Sequence, residues 1–471
     1  MTTSTTRTHR GVGIAIALTM FGACTTRVPA VDAPQTISEA VGLRNAVRFS
    51  SVPEPLDVEC TEGHLSIADA IRSALLHDPR LQAALARVRI ALADSEQARL
   101  LPNPILVITL GIPIRAAGPF NVEATLAQDL VALLRRPAKS ESADQRLRAS
   151  TAEAVGIALD VVNEIRDRYV RTQAVERLLP LLRARRSLLE RLESLANARL
   201  QAGEGTRLDV TTLRAQHAEV EVDIGEAEGS LRELRLEIAR RMGAPSAPAE
   251  WTIDAPETLG ELPFSELQWI DGALLHRPEL LRLQWELAAL VGERKAAEFA
   301  GWDGLGGGGA LFGDTPFGLG PAVSAPLPLF DDGSVARRRF EARAIELRHQ
   351  LAESRREAVE DVRRAIVSFN AARTNLYRTQ STLLPLQRQR LAQVEDVYRA
   401  GFSDLTALLL AEQDLRATEA KAVALEERVA LSLFRLERAV GGPAAFRDPE
   451  RAVSPAFSDA PAPTPLASNA R

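Results

Sequence analysis

The sequence predicts a mostly α-helical protein with a small β part, built from a duplicated unit of helix, β-hairpin, long helix and returning helix. Three observations predict it. Ala74-Leu75-Leu76-His77-Asp78-Pro79-Arg80-Leu81 recurs as Ala273-Leu274-Leu275-His276-Arg277-Pro278-Glu279-Leu280, identical at six of eight positions. Ala202-Gly203 recurs as Ala400-Gly401, and Met242-Gly243-Ala244-Pro245 as Val440-Gly441-Gly442-Pro443, all at offsets of 198 or 199. A period of that length is far above the roughly 20–50 residues of a solenoid repeat. Within each half, helical spacing is interrupted once by a short β-prone segment rich in Gly and Pro. Finally, 471 residues that are 46% hydrophobic but only 4% aromatic suit many Ala- and Leu-rich helices around a sizeable core.

At the N-terminus, Arg7, His9 and Arg10 precede an apolar run from Gly11 to Ala23. This has the make-up of an export signal and is too short to span a bilayer as a helix. It ends at Phe21-Gly22-Ala23-Cys24, which resembles the lipobox of bacterial lipoproteins, with Phe21 where Leu is usual. That resemblance implies acylation of Cys24, and Thr25 in place of Asp implies sorting to the outer membrane. Cys60 is then left without an intramolecular cysteine partner in an oxidising compartment.

In each unit a Ser, Ser66 or Ser265, can cap a helix that runs to about Leu100 or Ala300. Strands are predicted at 104–112 and 119–127 around Ala117-Gly118-Pro119, and at 306–313 and 317–327 around Gly313-Asp314-Thr315-Pro316. Very long helices follow, about 130–201 and about 333–400, each roughly 100 Å at 1.5 Å per residue. Val155, Leu159, Val162, Ile165 and Tyr169 on the first, and Val362, Ile366, Phe369, Leu376 and Leu383 on the second, keep coiled-coil spacing. Leu-Leu-Pro-Leu, at Leu178 to Leu181 and Leu383 to Leu386, should bend or break each helix. The interval from that proline to the next glycine is 23 residues in one unit and 16 in the other, a difference of one heptad that keeps the phase. At Gly203 and Gly401 the chain turns, and helices 206–241 and 404–440 run back. The helices before each hairpin and after each turn together match the long helix in length and could lie beside it.

The domain reading is therefore a lipoprotein signal peptide (1–23), a lipidated extended N-terminal linker (24–63), a first repeat (64–245), a linker (246–263), a second repeat (264–443) and a Pro/Ala-rich disordered tail (444–471). A net charge of −5 with both signs interspersed offers no basic field for nucleic acid. No nucleophile elbow, phosphate loop or zinc spacing occurs, and the six His are scattered, so neither catalysis nor a metal or other cofactor is expected. No apolar run could cross a bilayer as a helix, which leaves strands for any membrane passage.

The two ALLHxPxL openings, Ala325-Pro326-Leu327-Pro328-Leu329-Phe330-Asp331 after the second hairpin, and Tyr398-Arg399-Ala400-Gly401-Phe402-Ser403 at the second turn resemble the TolC-like outer membrane efflux family over residues 64–443. Within it the chain looks closest to the lipoproteins of heavy-metal (CzcC-like) or multidrug efflux systems. The resemblance implies a homotrimer whose chains each give four strands to a 12-stranded transmembrane β-barrel and their helices to a periplasmic tunnel. It also implies a periplasmic adaptor and an inner-membrane transporter as partners. The turns would then be periplasmic tips, with Gly203, Thr206, Gly401 and Ser403 as candidate adaptor contacts and Asp209 and Asp404 as candidate gate residues, since carboxylate rings favour cations. Glycines also end helices whatever the function, and an acidic residue at a helix start also serves as a cap. The alternative function is a coiled-coil scaffold or adhesin attached to the outer membrane by its lipid, which has no need of two hairpins at matching positions.

Overall fold

Two halves of the chain lay down the same elements in the same order. The computed structural model describes residues 32–44, 46–52, 63–111, 121–245, 250–256, 262–312, 318–326, 329–400, 402 and 405–449. After α1 (Ala33–Val41), the first half comprises β1 (His64–Leu65), α2 (Ile67–His77), α3 (Pro79–Arg99), β2 (Ile105–Gly111), β3 (Asn121–Asp129), α4 (Leu130–Gln201) and α5 (Arg207–Arg241). The second comprises β4 (Thr252–Ile253), α6 (Glu266–His276), α7 (Pro278–Ala297), β5 (Gly306–Phe312), β6 (Gly318–Ser324), α8 (Ser334–Arg378), a π-turn (Thr379–Leu383), α9 (Leu384–Arg399), α10 (Leu405–Val440) and the short α11 (Pro443–Arg447).

Ser66 and Ser265 cap α2 and α6, their hydroxyls accepting from the backbone N–H of Asp69 at 3.1 Å and of Gln268 at 3.4 Å. The single helices expected from there to about Leu100 and Ala300 are each broken in two. Pro79 and Pro278 disfavour the helical conformation of the preceding residue, and Asp78 and Arg277 are extended, with ψ of 117° and 120°. Asp78 then caps α3 by accepting from the N–H of Arg80 at 2.8 Å. The Leu-Leu-Pro-Leu motifs part company: α4 continues as one 72-residue helix through both Pro137 and Pro180. In the second half the π-turn interrupts the α-helical bonding just before Pro385, which falls in the first turn of α9.

The linker expected to be extended contains α1, started by the Asp32 carboxylate, which accepts from the Gln35 N–H at 3.2 Å, and sealed by Ile37, which is fully buried. The tail expected to be disordered from 444 carries α11, whose Phe446 stacks on Trp269 with ring centroids 4.5 Å apart. Residues 450–471 lie outside the described residues.

Over its N-terminal part α4 packs against α3 and α7, and over its C-terminal part against α5. The shorter helices thus lie end to end beside the long one. Leu147, Val155, Leu159, Val162 and Ile165 of α4 join Leu75, Leu81, Leu85, Ile37 and Trp285 in the main core. Each fully buried Leu or Ile there contributes about 1.5–3 kcal/mol. The halves are tied together by Arg438 of α10, 2.8 Å from Asp160 of α4, and by Arg185 of α4, 3.5 Å from the buried Glu412 of α10.

The recurring motifs meet in space. Gly243, at φ +88°, ends α5 against His77, and a Cβ built there would lie 2.6 Å from the His77 Cβ. Gly441, at φ +112°, sits likewise against the backbone of His276, and a Cβ built there would lie 2.7 Å from the His276 carbonyl oxygen. Positive φ and the absence of a side chain are both required, so glycine at this place and the ALLHxP motif are two sides of one contact.

Two sheets form. β1 and β4 pair in parallel, joining the start of the first repeat to the segment between repeats. The buried Tyr169 hydroxyl donates toward the Leu65 carbonyl at 2.9 Å, while the Asp254 backbone N–H donates to the hydroxyl at 2.9 Å. Burial raises the Tyr169 phenol above its usual titration range. The His64 imidazole at 2.7 Å is the main group holding the Asp254 carboxyl below its own. The other sheet is antiparallel in the order β2-β3-β5-β6, with Leu106 opposite Leu126, Asp129 opposite Gly306 and Gly308 opposite Ala322. Its strands fall where the sequence predicts them, and both hairpin turns (112–120 and 313–317) lie outside the described residues.

Candidate functional site

The four-stranded sheet has an apolar surface, and among the described residues it has no core of its own. Every residue of β2 is exposed, among them Ile105, Leu106, Val107, Ile108 and Leu110. Of the large apolar side chains on its partners, Leu126, Leu311 and Val323 are also exposed. A contiguous apolar patch of this kind marks a surface that another apolar phase covers. Each outer strand, β2 and β6, has one unpaired edge among the described residues. In lipid every unpaired backbone group costs several kcal/mol, so an open four-stranded sheet cannot stand there alone. Among the described residues no helix is long and apolar enough to cross a membrane, which says nothing of strands.

Roughly 108 Å away, the length of α4 at 1.5 Å per residue, the chain turns. Gly203, at φ +80°, closes α4 with the paired bonds of a Schellman motif: its own N–H to the Leu200 carbonyl at 3.2 Å and the Glu204 N–H to the Arg199 carbonyl at 2.9 Å. Thr206 then starts α5 with a capping box. Its hydroxyl accepts from the Asp209 N–H at 3.1 Å, and the Asp209 carboxylate accepts from the Thr206 N–H at 3.1 Å. Asp209, expected as a gate residue, is therefore also the residue that holds the returning helix to its turn. In the second turn the Phe402 N–H donates to the Val397 carbonyl at 3.1 Å, the same six-to-one bond. Gly401, Ser403 and Asp404 lie outside the described residues, as do Cys24 and Cys60.

The structure brings the two turns together, which spacing along the chain does not reveal. Leu188, Leu189, Leu192 and Ala196 of α4, Val210 and Leu213 of α5, and Leu405, Leu408 and Leu409 of α10 form one buried cluster that includes Tyr398 of α9. Tyr398 is 4% exposed, and the Arg199 guanidinium lies 4.7 Å from its ring centroid. This contact joins the last turn of α4 to the last turn of α9. Sequence reading did not single out Tyr398 or Arg199 as site residues, although a tyrosine two residues before a helix-ending Ala-Gly, in a chain with three tyrosines, was the available signal. Outside the cluster, Leu208 and Phe402 are exposed at 73% and 87%, leaving apolar side chains at each turn open to a partner. No group of metal-ligating side chains among the described residues is arranged to hold an ion.

No protein-family model and no curated protein matches the sequence. Solved structures do. The outer membrane protein VceC of Vibrio cholerae matches with a TM-score of 0.67 at 20% identity, covering 80% of this chain and 96% of that one. The CmeC outer membrane channel of Campylobacter jejuni matches with a TM-score of 0.67 at 14% identity, covering 84% and 94%. The open state of the MtrE outer membrane channel of Neisseria gonorrhoeae matches with a TM-score of 0.65 at 17% identity, covering 88% and 98%. At such identities the likeness establishes the fold, and that fold is the TolC-like outer-membrane channel fold that the sequence motifs imply.

Proposed function

We propose, proceeding from the shared fold of outer-membrane channels, that this chain is one subunit of an efflux channel. Three copies pair the open edges of β2 and β6 into one 12-stranded barrel, and their helices enclose a tunnel that continues it into the periplasm. The observation that carries this reading is the open apolar sheet, which has no partner among the described residues, set at the end of a helix of roughly 100 Å that turns back. A coiled-coil scaffold or adhesin gives such a sheet no role.

In this reading the chain is a passive duct and has no catalytic centre. An inner-membrane transporter supplies energy and selects the substrate, and a periplasmic adaptor meets the turns, where Gly203, Thr206, Leu208, Gly401, Phe402 and Ser403 lie. At rest the turns close the tunnel through the Tyr398 cluster, and helix movement there opens it. Cys24, acylated after removal of 1–23, anchors the mature chain to the outer membrane, and the two repeats span 64–245 and 264–443.

Planar-bilayer recording of the purified protein, with its mass measured in mild detergent, tests the proposal. The expected result is a trimer that conducts. A native monomer or dimer without conductance overturns it.

A further inference from the structure

The outgoing and returning helices of the two turn hairpins are cross-linked by different charges. In the second, Arg388 of α9 lies 3.5 Å from Glu419 of α10, so a permanent cation links the outgoing and returning helices. The offset of 198 that carries Gly203 onto Gly401 also carries Glu190 onto Arg388 and Glu221 onto Glu419. The first hairpin therefore has a carboxylate where the second has a guanidinium. Between the two carboxylates stands His217, whose counterpart is the buried Leu415.

The His217 Nε2 lies 3.7 Å from the Glu190 Oε1 and 3.9 Å from the Glu221 Oε1, and its Nδ1 lies 4.0 Å from the Glu193 Oε2. Nε2 is shut off from solvent and has no hydrogen-bond partner among the described residues. The carboxylates that face the ring come from both helices, Glu190 and Glu193 from α4 and Glu221 from α5, and two of them hold an arginine. Arg186 lies 3.5 Å from Glu190 and Arg214 lies 2.7 Å from Glu193, which offsets two of the three carboxylates. Farther along, Arg185 of α4 lies 3.8 Å from Asp223 of α5 and 3.5 Å from Glu412 of α10, which is also 3.0 Å from Arg416. With the imidazole neutral, one negative charge is left over and one ring nitrogen presents a lone pair toward a carboxylate, whichever tautomer is present. With the imidazole protonated, the group is neutral and both nitrogens donate.

We propose that His217 is a pH-conditional clasp between α4 and α5, doing in acid what Arg388 does permanently in the second hairpin. Imidazole is the side chain whose ordinary charge change falls between about pH 5 and 8. Acid closes the clasp and neutral pH releases it, so the first hairpin stiffens on acidification while the second does not. The clasp is a property of the hairpin itself. Its consequence for a gated tip, favouring the closed turn in acid, rests on the channel reading.

Hydrogen–deuterium exchange on the full-length protein in detergent at about pH 5.5 and about pH 7.5, corrected for the intrinsic pH dependence of exchange, tests it. The quantity read is the protection of residues 186–193 and 214–221 relative to residues 384–391 and 412–419, an internal reference in the same molecule. The ratio should be about two- to fivefold higher in acid, the range for a partly exposed ion pair. His217→Gln should give a low ratio at both values and His217→Arg a high ratio at both. An equal ratio in the parent at the two values overturns the proposal, as does a pH dependence that survives in His217→Gln. The comparison of parent with His217→Gln decides it even if His217→Arg does not fold. No conductance is measured, so its failure leaves the channel reading untouched, and a protein that does not conduct still allows the test.

Discussion

Replacing Asp209 by Asn and, separately, by Ala separates the capping role of this carboxylate at the first turn from the gate role expected of it. Both variants remove the charge, but Asn keeps a side-chain oxygen that can accept from the Thr206 N–H as the carboxylate does at 3.1 Å. Asp209→Ala leaves that N–H without its partner, while the reverse bond from the Asp209 position to the Thr206 hydroxyl survives because its donor is backbone. Losing half of the capping box together with the acidic group in the first turn costs about 0.5–1.5 kcal/mol. This corresponds to roughly a two- to tenfold rise in local opening of the turn, by the Boltzmann relation. In Asp209→Asn only the interaction with the helix dipole is lost, about 0.3–1 kcal/mol. In bilayer recordings both variants should show the same fall in preference for cations, since a trimer loses three carboxylates either way. Asp209→Ala alone should also show more frequent resting openings and faster amide exchange over 204–210. Unchanged reversal potential and conductance in both variants, with assembled trimers, would show that Asp209 acts only as a helix cap and would leave the channel reading intact.

Tyr398→Ala should destabilise the turn end by about 3 kcal/mol, combining an aromatic cavity with loss of the cation–π contact from Arg199. Exchange should rise over 196–213 and 398–409 while the β1–β4 region keeps its protection, and uniform loosening of the whole chain would contradict a local role. Cys24→Ser should abolish incorporation of labelled palmitate while leaving the helical content of the protein unchanged, and equal label in mutant and parent would refute the lipobox reading. The His276 imidazole is held below its usual titration range by burial, and its Nε2 lies 3.1 Å from the Pro449 carbonyl. The neutral ring is the folded form, so its stabilising contribution is complete above the ordinary histidine value of about 6.5. That contribution is lost as pH falls from there through the lower folded value. Acid should therefore raise exchange over 443–449, and His276→Gln should remove that pH dependence.

The Asp209 experiment draws on both levels at which the protein can be read. The bounds expected for the first long helix, about 130–201, are those of α4, because the signals that set them are local. Strand alternation ends at Asp129, whose carboxylate caps the helix by accepting from the Ala132 N–H at 2.9 Å, and Gly203 accepts the positive φ that ends it. The four strands were legible for the same reason. The proline signals were only partly legible: Pro79 and Pro278 break their helices and Pro180 does not. A proline's cost is local, but the surrounding helix packing decides whether the chain meets it by breaking, as at Pro79, or by continuing, as at Pro180.

By itself the sequence determined the elements, their duplication and the side of each helix that must be covered, since caps, turns and periodicity act within a few residues. Tertiary structure alone decided which distant segments meet. It set β1 beside β4, joined β3 to β5 so that two hairpins became one sheet, placed Tyr398 against Arg199, and brought Glu190 and Glu193 of α4 to His217 of α5. These contacts join residues from 24 to nearly 200 positions apart in the sequence. Their energy comes from covering apolar faces that have no preferred partner along the chain. For the sheet, the pattern of alternating residues announces an apolar surface, but only the open edges of β2 and β6 in the folded chain show that one copy leaves that surface and those backbone groups uncovered.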